Sequence, residues 1–249
     1  MEDLRIFAEE VIHKEMDNLV LFEKADIMGG DNVVVHALDM SVSKGDFVYI
    51  VGRVGTGKTS IIRSIIAENR LGGGHGQACG FTLEGIRPRD IQALRRRIGV
   101  VFQDFRLLMD RSISDNLEFV LRSTGWKDKA AIYKRIDEVL EATGLTTKAH
   151  KMPHQLSGGE QQRAAIARAI LNEPEIILAD EPTGNLDRET ADGIMKLLTS
   201  LNREKGTAFI IVTHNREIFE KYPGRVFVCK EESCVETRND EVIELALTI

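Results

Sequence analysis

Three short stretches of this sequence combine residue types at spacings that handle phosphate. The first is Gly52, Arg53, Val54, Gly55, Thr56, Gly57, Lys58 and Thr59, with Ser60 next; it fits G-x-x-x-x-G-K-[ST]. Glycines let a backbone curl so that successive N–H groups point at phosphate oxygens, and a helix starting at Lys58 adds its positive end. Lys58 then reaches the β- and γ-phosphates of a nucleoside triphosphate, and the Thr59 hydroxyl is a ligand for Mg2+. The second stretch is an apolar run, 175–179, that delivers Asp180 and Glu181. Asp180 is suited to hold Mg2+, mainly through water, and Glu181 to orient and polarise an attacking water. The alternative, an acidic strand end in a surface salt bridge, loses force with a P-loop upstream. The third stretch is LSGGEQQR, residues 156–163, a second glycine turn before a helical pattern. Its Ser157, Gly158 and Gly159 can offer hydroxyl and N–H donors to an anion. One chain therefore carries two phosphate-binding devices, although a single triphosphate needs only one P-loop.

These groups need a frame. Continuous apolar runs at 47–51, 98–102, 175–179, 208–213 and 226–229 read as strands covered on both faces. Helical patterns lie between them. Residues 58–70 carry Ile61, Ile62, Ile65 and Ile66 on one stripe; residues 130–143 carry Ile132, Ile136, Val139 and Leu140, with Gly144 placed to end the helix; residues 160–171 are rich in Ala and Ile. The alternation predicts an α/β fold with a mainly parallel sheet. The run Gly72-Gly73-Gly74-His75-Gly76 reads as a flexible linker or wide turn, and Arg95-Arg96-Arg97 as a solvated helix face. Residues 105–153 read as a helical insertion. Residues 1–18 read as an amphipathic helix packed on the surface.

The bulk numbers set limits. A chain of 249 residues can bury one sizeable core, and 43% hydrophobic with 29% charged residues is ordinary for a globular protein. A net charge of −6 argues against nucleic acid as a partner. Three cysteines without a C-x-x-C pair make neither a disulfide framework nor a zinc site, and fit a reducing cytoplasm. No signal-peptide pattern and no apolar run of bilayer length is present, so a role at a membrane requires another chain as anchor.

In this order the motifs resemble those of the ATP-binding-cassette (ABC) ATPases. The resemblance runs over residues 18–230: GRVGTGKT, Gln103 after a strand, LSGGEQQR, ILADE, Asn185-Leu186-Asp187, and His214 after AFIIVT. It implies one nucleotide-binding domain over 1–249: an extension at 1–18, an ATPase core at 19–104 and 154–249 with an N-terminal antiparallel β region, and a helical subdomain at 105–153. It implies ATP and Mg2+, and a head-to-tail homodimer in which Ser157 and Gly159 of one chain meet the γ-phosphate held by the other. The family pattern gives His214 a γ-phosphate contact, Asp187 a part in coupling the two sites, and Gln103 a reach toward Mg2+ and the attacking water. Read alone, His214 fits a strand-end core histidine and Asp187 a helix N-cap. Phe105, Leu107, Leu108 and Met109 are candidates either for a cleft that receives a membrane subunit or for packing inside the helical insertion. RRRIGVVFQDFRLL and DEPTGNLD resemble the cell-division branch, which implies an FtsX-like integral membrane subunit and a peripheral place at the cytoplasmic membrane face. The alternatives are a lipoprotein-release or macrolide-export ATPase and, less favoured, a soluble ABC protein acting on DNA or ribosomes. Met28 stands near the position where family members stack an aromatic ring on adenine.

Overall fold

The computed structural model describes residues 18–237. The readings for residues 1–17 and for the tail beyond 237 lie outside the described residues.

The chain opens with β1 (Asn18–Gly29) and β2 (Asn32–Ser43), continues through β3 (Phe47–Gly52), α1 (Lys58–Ile65), β4 (Leu71–Ala78), β5 (Phe81–Thr82), α2 (Pro88–Arg96) and β6 (Ile98–Val101), and then runs through helices α3 (Ile113–Ser123) and α4 (Lys129–Ala142). It ends with α5 (Gly158–Ile170), β7 (Ile176–Asp180), α6 (Arg188–Lys205), β8 (Ala208–Val212), α7 (Arg216–Lys221), β9 (Arg225–Lys230) and β10 (Ser233–Thr237). Strands β2-β1-β4-β5 make an antiparallel sheet; β10-β9-β3-β8-β7-β6 make a second sheet, parallel except for β10 at its edge.

The apolar runs are continuous because each strand of the parallel sheet feeds two cores. Val48, Ile50, Ile176, Leu178, Ile210 and Val212 face α1 and the antiparallel sheet. Tyr49, Val51, Ile177, Ala179, Phe209 and Ile211 face α3 to α6. Strands β3, β6, β7 and β8 point the same way, so their C-terminal ends share one edge of the sheet. Everything singled out as chemistry, apart from the second glycine turn, follows one of those ends.

Several expectations are corrected. The glycine run is not a linker: it lies in β4, paired to β1 with Phe22 opposite Gly76 and Asp26 opposite Gly73. A Cβ on Gly74, at φ +74°, would stand 2.1 Å from the Lys24 carbonyl oxygen, and one on Gly76 2.6 Å from Leu71. The glycines let two strands approach at a bulge, a reason composition does not reveal. Helix α1 ends at Ile65 rather than 70, because Ala67 turns left-handed at φ 51° and the Glu68 N–H donates to the Arg63 carbonyl at 2.8 Å. Nor is the arginine run merely a solvated face. Arg95 Nε donates to the Ile66 carbonyl at 3.0 Å, and Arg97 donates to the Cys79 carbonyl and to Glu175. All three arginines are exposed, as a solvated face requires, and Arg95 and Arg97 make these bonds from the surface. Strand β10 has no counterpart among the expected strands; a two-residue turn at Glu231 and Glu232, both at positive φ, folds it back on β9. Gly144, at φ +69°, ends α4 as its position implied, with Leu145 N–H donating to the Leu140 carbonyl at 2.7 Å.

Candidate functional site

The P-loop spans the turn from the inner strand β3 to α1. Gly52, Gly55 and Gly57 lie at φ +148°, +87° and +90°, a backbone course that side-chain-bearing residues rarely follow. A Cβ on Gly52 would meet the Cys229 carbonyl oxygen at 2.3 Å, and one on Gly57 would meet Val35 at 2.7 Å. Gly55 has open space around it. Buried Lys58 donates from Nζ to the carbonyls of Gly52 and Arg53 at 2.7 and 2.6 Å, so the ammonium is held on the loop. Burial lowers its pKa, and the neighbouring Glu181 and Asp180 oppose that shift. Thr56 braces the loop by donating to the Arg53 carbonyl at 2.9 Å. Ser60 lies in the first turn of α1 beside Gly29, and Val54 is 95% exposed at the loop tip.

Asp180 ends β7, two strands from β3, and accepts from the Thr59 hydroxyl at 3.3 Å. Burial pushes its carboxyl pKa up, against the Thr59 hydrogen bond and the Lys58 charge. Glu181 follows in a left-handed conformation, φ 48°, unusual for a residue with a side chain. Its Oε1 lies 2.7 Å from His214 Nδ1, while Oε2 is buried with no partner. His214 is mostly exposed and follows β8, rather than being a core histidine.

Gln103 comes two residues after β6 ends and is exposed. Its carbonyl accepts from Asn185 Nδ2 at 3.4 Å, and a Cβ on Gly184 would stand 3.3 Å from Gln103 Nε2 and 3.5 Å from Glu181 Cβ. Strand and loop ends thus bring Lys58, Thr59, Gln103, Asp180, Glu181 and His214 to one edge of the sheet.

Ser157 caps α5. Its Oγ accepts from the Glu160 N–H at 3.3 Å while Glu160 accepts from the Ser157 N–H at 2.8 Å, a capping box that Lys148 extends to Glu160 at 3.0 Å. Ser157 and Gly158 are exposed, but Gly159 is buried, and a Cβ there would meet Thr190 Cγ2 at 2.4 Å. The near neighbours of this turn are Leu186 and Thr190, around the start of α6, not the chain's own P-loop. Asp187 caps α6 by accepting from the Thr190 N–H at 3.0 Å and its hydroxyl at 2.6 Å.

Of the four loop candidates, Leu107 is buried and Phe105 packs partly into the core, whereas Leu108 and Met109 are exposed. Two residues that sequence reasoning passed over fasten this loop. Asn116, 2% exposed, accepts from the Leu108 N–H at 2.7 Å and donates to the carbonyls of Leu108, Ser112 and Arg111 at 3.0, 2.9 and 3.3 Å. Arg168 donates to the Phe105 carbonyl at 2.8 Å and to the Arg106 carbonyl. Met28 lies on β1 opposite Val33, with its carbonyl accepting from Asn69 Nδ2 at 2.7 Å.

The oxygens that Thr59 and Asp180 present are a hydroxyl and a carboxylate. Such hard oxygens, few in number, fit Mg2+, which retains much of its water. Among the described residues no cluster of three or more His, Cys, Asp or Glu could hold a metal.

A P-loop on an inner parallel strand, with an acidic pair ending a strand of the same sheet, defines a nucleoside triphosphatase. The sequence matches the ABC transporter family over residues 35–184. The chain belongs to that family: it is an ABC ATPase, binding ATP and hydrolysing it. It is 42% identical over 192 residues to the cell division ATP-binding protein FtsE of Streptococcus pneumoniae, covering 77% of this chain and 83% of that protein. It is 44% identical over 189 residues to FtsE of Mycobacterium tuberculosis, covering 76% and 81%. The methionine import ATP-binding protein MetN of Lacticaseibacillus paracasei is 40% identical over 205 residues, covering 81% of this chain but 58% of that protein. Among solved structures, cbiO1 of Clostridium perfringens superposes with TM-score 0.83 at 29% identity over 93% of each chain. The ATP-binding cassette MJ0796, as a dimer bound to ADP and Pi, superposes with TM-score 0.77 at 31% identity over 88% of this chain and 99% of that one.

Proposed function

We propose that this chain drives a membrane complex of the cell-division kind by hydrolysing ATP within a head-to-tail homodimer. The observation that carries the hydrolytic part is Glu181. A buried carboxylate oxygen without a partner is costly, and here it persists beside the P-loop lysine on a left-handed backbone. That is the expected form of a group kept ready to accept a proton from water. His214 holds the other oxygen and orients the carboxylate toward the γ-phosphate. Lys58 and the N–H groups of residues 52–60 hold the phosphates and neutralise charge. Thr59, Asp180 and Gln103 would hold Mg2+, which supplies further charge neutralisation at the phosphates. Ser157, Gly158 and Gly159 supply donors to the γ-phosphate bound by the second copy, and Asp187 couples the two sites. The burial of Gly159 leaves Ser157 and Gly158 as the parts of that turn most open to a partner.

In this reading residues 19–104 and 154–249 are the ATPase core, and 105–153 the helical subdomain. Its exposed Leu108, Met109 and Phe119 meet an FtsX-like integral membrane subunit, and the protein sits peripherally at the cytoplasmic membrane face. The FtsE relatives support the cell-division assignment. The MetN relative favours a second reading, an import ATPase with a permease as partner. No helix among the described residues is long and apolar enough to cross a membrane.

Glu181→Gln tests the mechanism. ATP binding is expected to persist, turnover to fall at least about 100-fold, and a closed dimer to accumulate on size exclusion. Unchanged turnover would remove Glu181 from the reaction. Identifying the membrane protein crosslinked to the chain in its native membrane separates the two assignments, since a transport permease would overturn the cell-division one.

A further inference from the structure

Residues Phe105 and Arg106 lie at φ 58° and 49°, two successive left-handed residues with full side chains. Such pairs revert to ordinary backbone unless something holds them. Arg168, in the last turn of α5, sends one guanidinium nitrogen to the Phe105 carbonyl at 2.8 Å and another to the Arg106 carbonyl. The fork geometry of a guanidinium matches two neighbouring acceptors in a way a lysine cannot. No carboxylate forms a salt bridge with Arg168 among the described residues; burial and the nearby Arg106 weigh against its charge, and the Asp104 carboxylate offsets part of that. A cation kept there at such cost, satisfied by loop carbonyls alone, has the shape of that loop as its visible task.

The loop begins at Gln103, whose amide nitrogen lies 3.3 Å from where a Cβ on Gly184 would stand, with Glu181 Cβ 3.5 Å from the same point. Asn116 fastens the far end at Leu108. With 105–106 and 108 both pinned, the path of the chain back to Gln103 is set. We propose that Arg168 is a positioning residue for Gln103: by clamping the left-handed turn it fixes where the Gln103 amide stands relative to Glu181 and the P-loop. The same helix begins at Ser157, so the clamp also ties the loop to the turn that serves the second copy's nucleotide.

The inference rests on the catalytic placement of Gln103 proposed above, and a double-mutant cycle separates the two. The full-length chain is purified as wild type, Arg168→Lys, Gln103→Ala and the double variant. Steady-state ATPase activity and thermal unfolding are measured for each. Arg168→Lys is expected to lower kcat about tenfold with KM for ATP within about twofold, since a small misplacement near the chemistry has that scale of effect. The double variant is expected to be no slower than Gln103→Ala alone, because the clamp has nothing left to position. Losses that multiply in the double variant, or a wild-type kcat for Arg168→Lys, overturn the inference while leaving Gln103 in place. A wild-type kcat for Gln103→Ala overturns the reading of Gln103, and with it the inference. Should Arg168→Lys fail to unfold cooperatively, Arg168→Gln takes its place. If neither folds, Arg168 serves the fold alone and the inference is wrong.

Discussion

At the scale of single residues, the loop after β6 shows how one buried amide can replace a stretch of secondary structure. Residues 103–112 belong to no helix or strand, yet Asn116 makes four hydrogen bonds to their backbone from a nearly closed environment. Asn116→Ala is expected to cost about 2–3 kcal/mol, because several carbonyls lose a partner where water enters poorly. Urea unfolding would show a lower midpoint with an unchanged slope. An effect below about 0.5 kcal/mol would mean water replaces the amide freely. Asn116 and Arg168 were illegible in the sequence for the same reason that the P-loop was legible. A phosphate cradle requires fixed residue types at fixed neighbouring positions. A buried Asn or Arg meets carbonyls chosen by the tertiary fold, and nothing in its local sequence says which. Asp187 falls between the two: its capping bond to Thr190 is local and readable, but its part in coupling the sites depends on a second copy.

Among the elements, β4 carries the sharpest difference between sequence and structure. Glycine-rich composition fits a linker when only local propensity is weighed. In the sheet it serves close approach instead, and this can be tested position by position. Gly74→Ala is expected to destabilise by about 2 kcal/mol or more, from the left-handed conformation and the collision with the Lys24 carbonyl together. Gly73→Ala, whose Cβ would meet the Asp26 side chain alone, its Oδ2 at 3.3 Å, is expected to stay within about 0.5 kcal/mol. Equal tolerance at both positions, in thermal unfolding of the purified chain, would return the segment to the linker reading. The inner strands posed no such difficulty. Their apolar runs have one explanation, burial on both faces, and the two cores bear it out through alternate residues of β3, β7 and β8. Helix ends were harder to read. The stripe of isoleucines in α1 continues to Ile66, and it is Arg95 on a distant helix that helps close the last turn by binding the Ile66 carbonyl.

For the whole molecule, the open question is why one chain has a P-loop and a separate anion-binding turn. The turn at Ser157 packs against Leu186 and Thr190 and spends the Ser157 N–H on Glu160, but it leaves Ser157 and Gly158 exposed, open to another molecule. A two-fold dimer that set each Ser157 over the partner's P-loop would use both devices at both sites, as symmetry requires. Mixing of defective chains tests this arrangement. Lys58→Ala and Ser157→Ala homodimers should each be inactive; the loss of the cap in Ser157→Ala costs about 1 kcal/mol and should leave the chain folded. Equal mixtures form heterodimers in which one site carries both defects and the other carries neither. ATPase activity should then return to about a quarter of the wild-type value if the sites act independently, since about half of the dimers are mixed and each has one sound site. No recovery, with subunit exchange verified by labelled chains, would place each P-loop and each Ser157 turn in the same chain's site, provided that an equal mixture of wild type and the Lys58→Ala/Ser157→Ala double variant keeps about half of the wild-type activity rather than about a quarter. The partial recovery therefore measures composite sites directly, and its size measures their coupling. A return well below a quarter would mean that a sound site depends on its neighbour, the role proposed for Asp187.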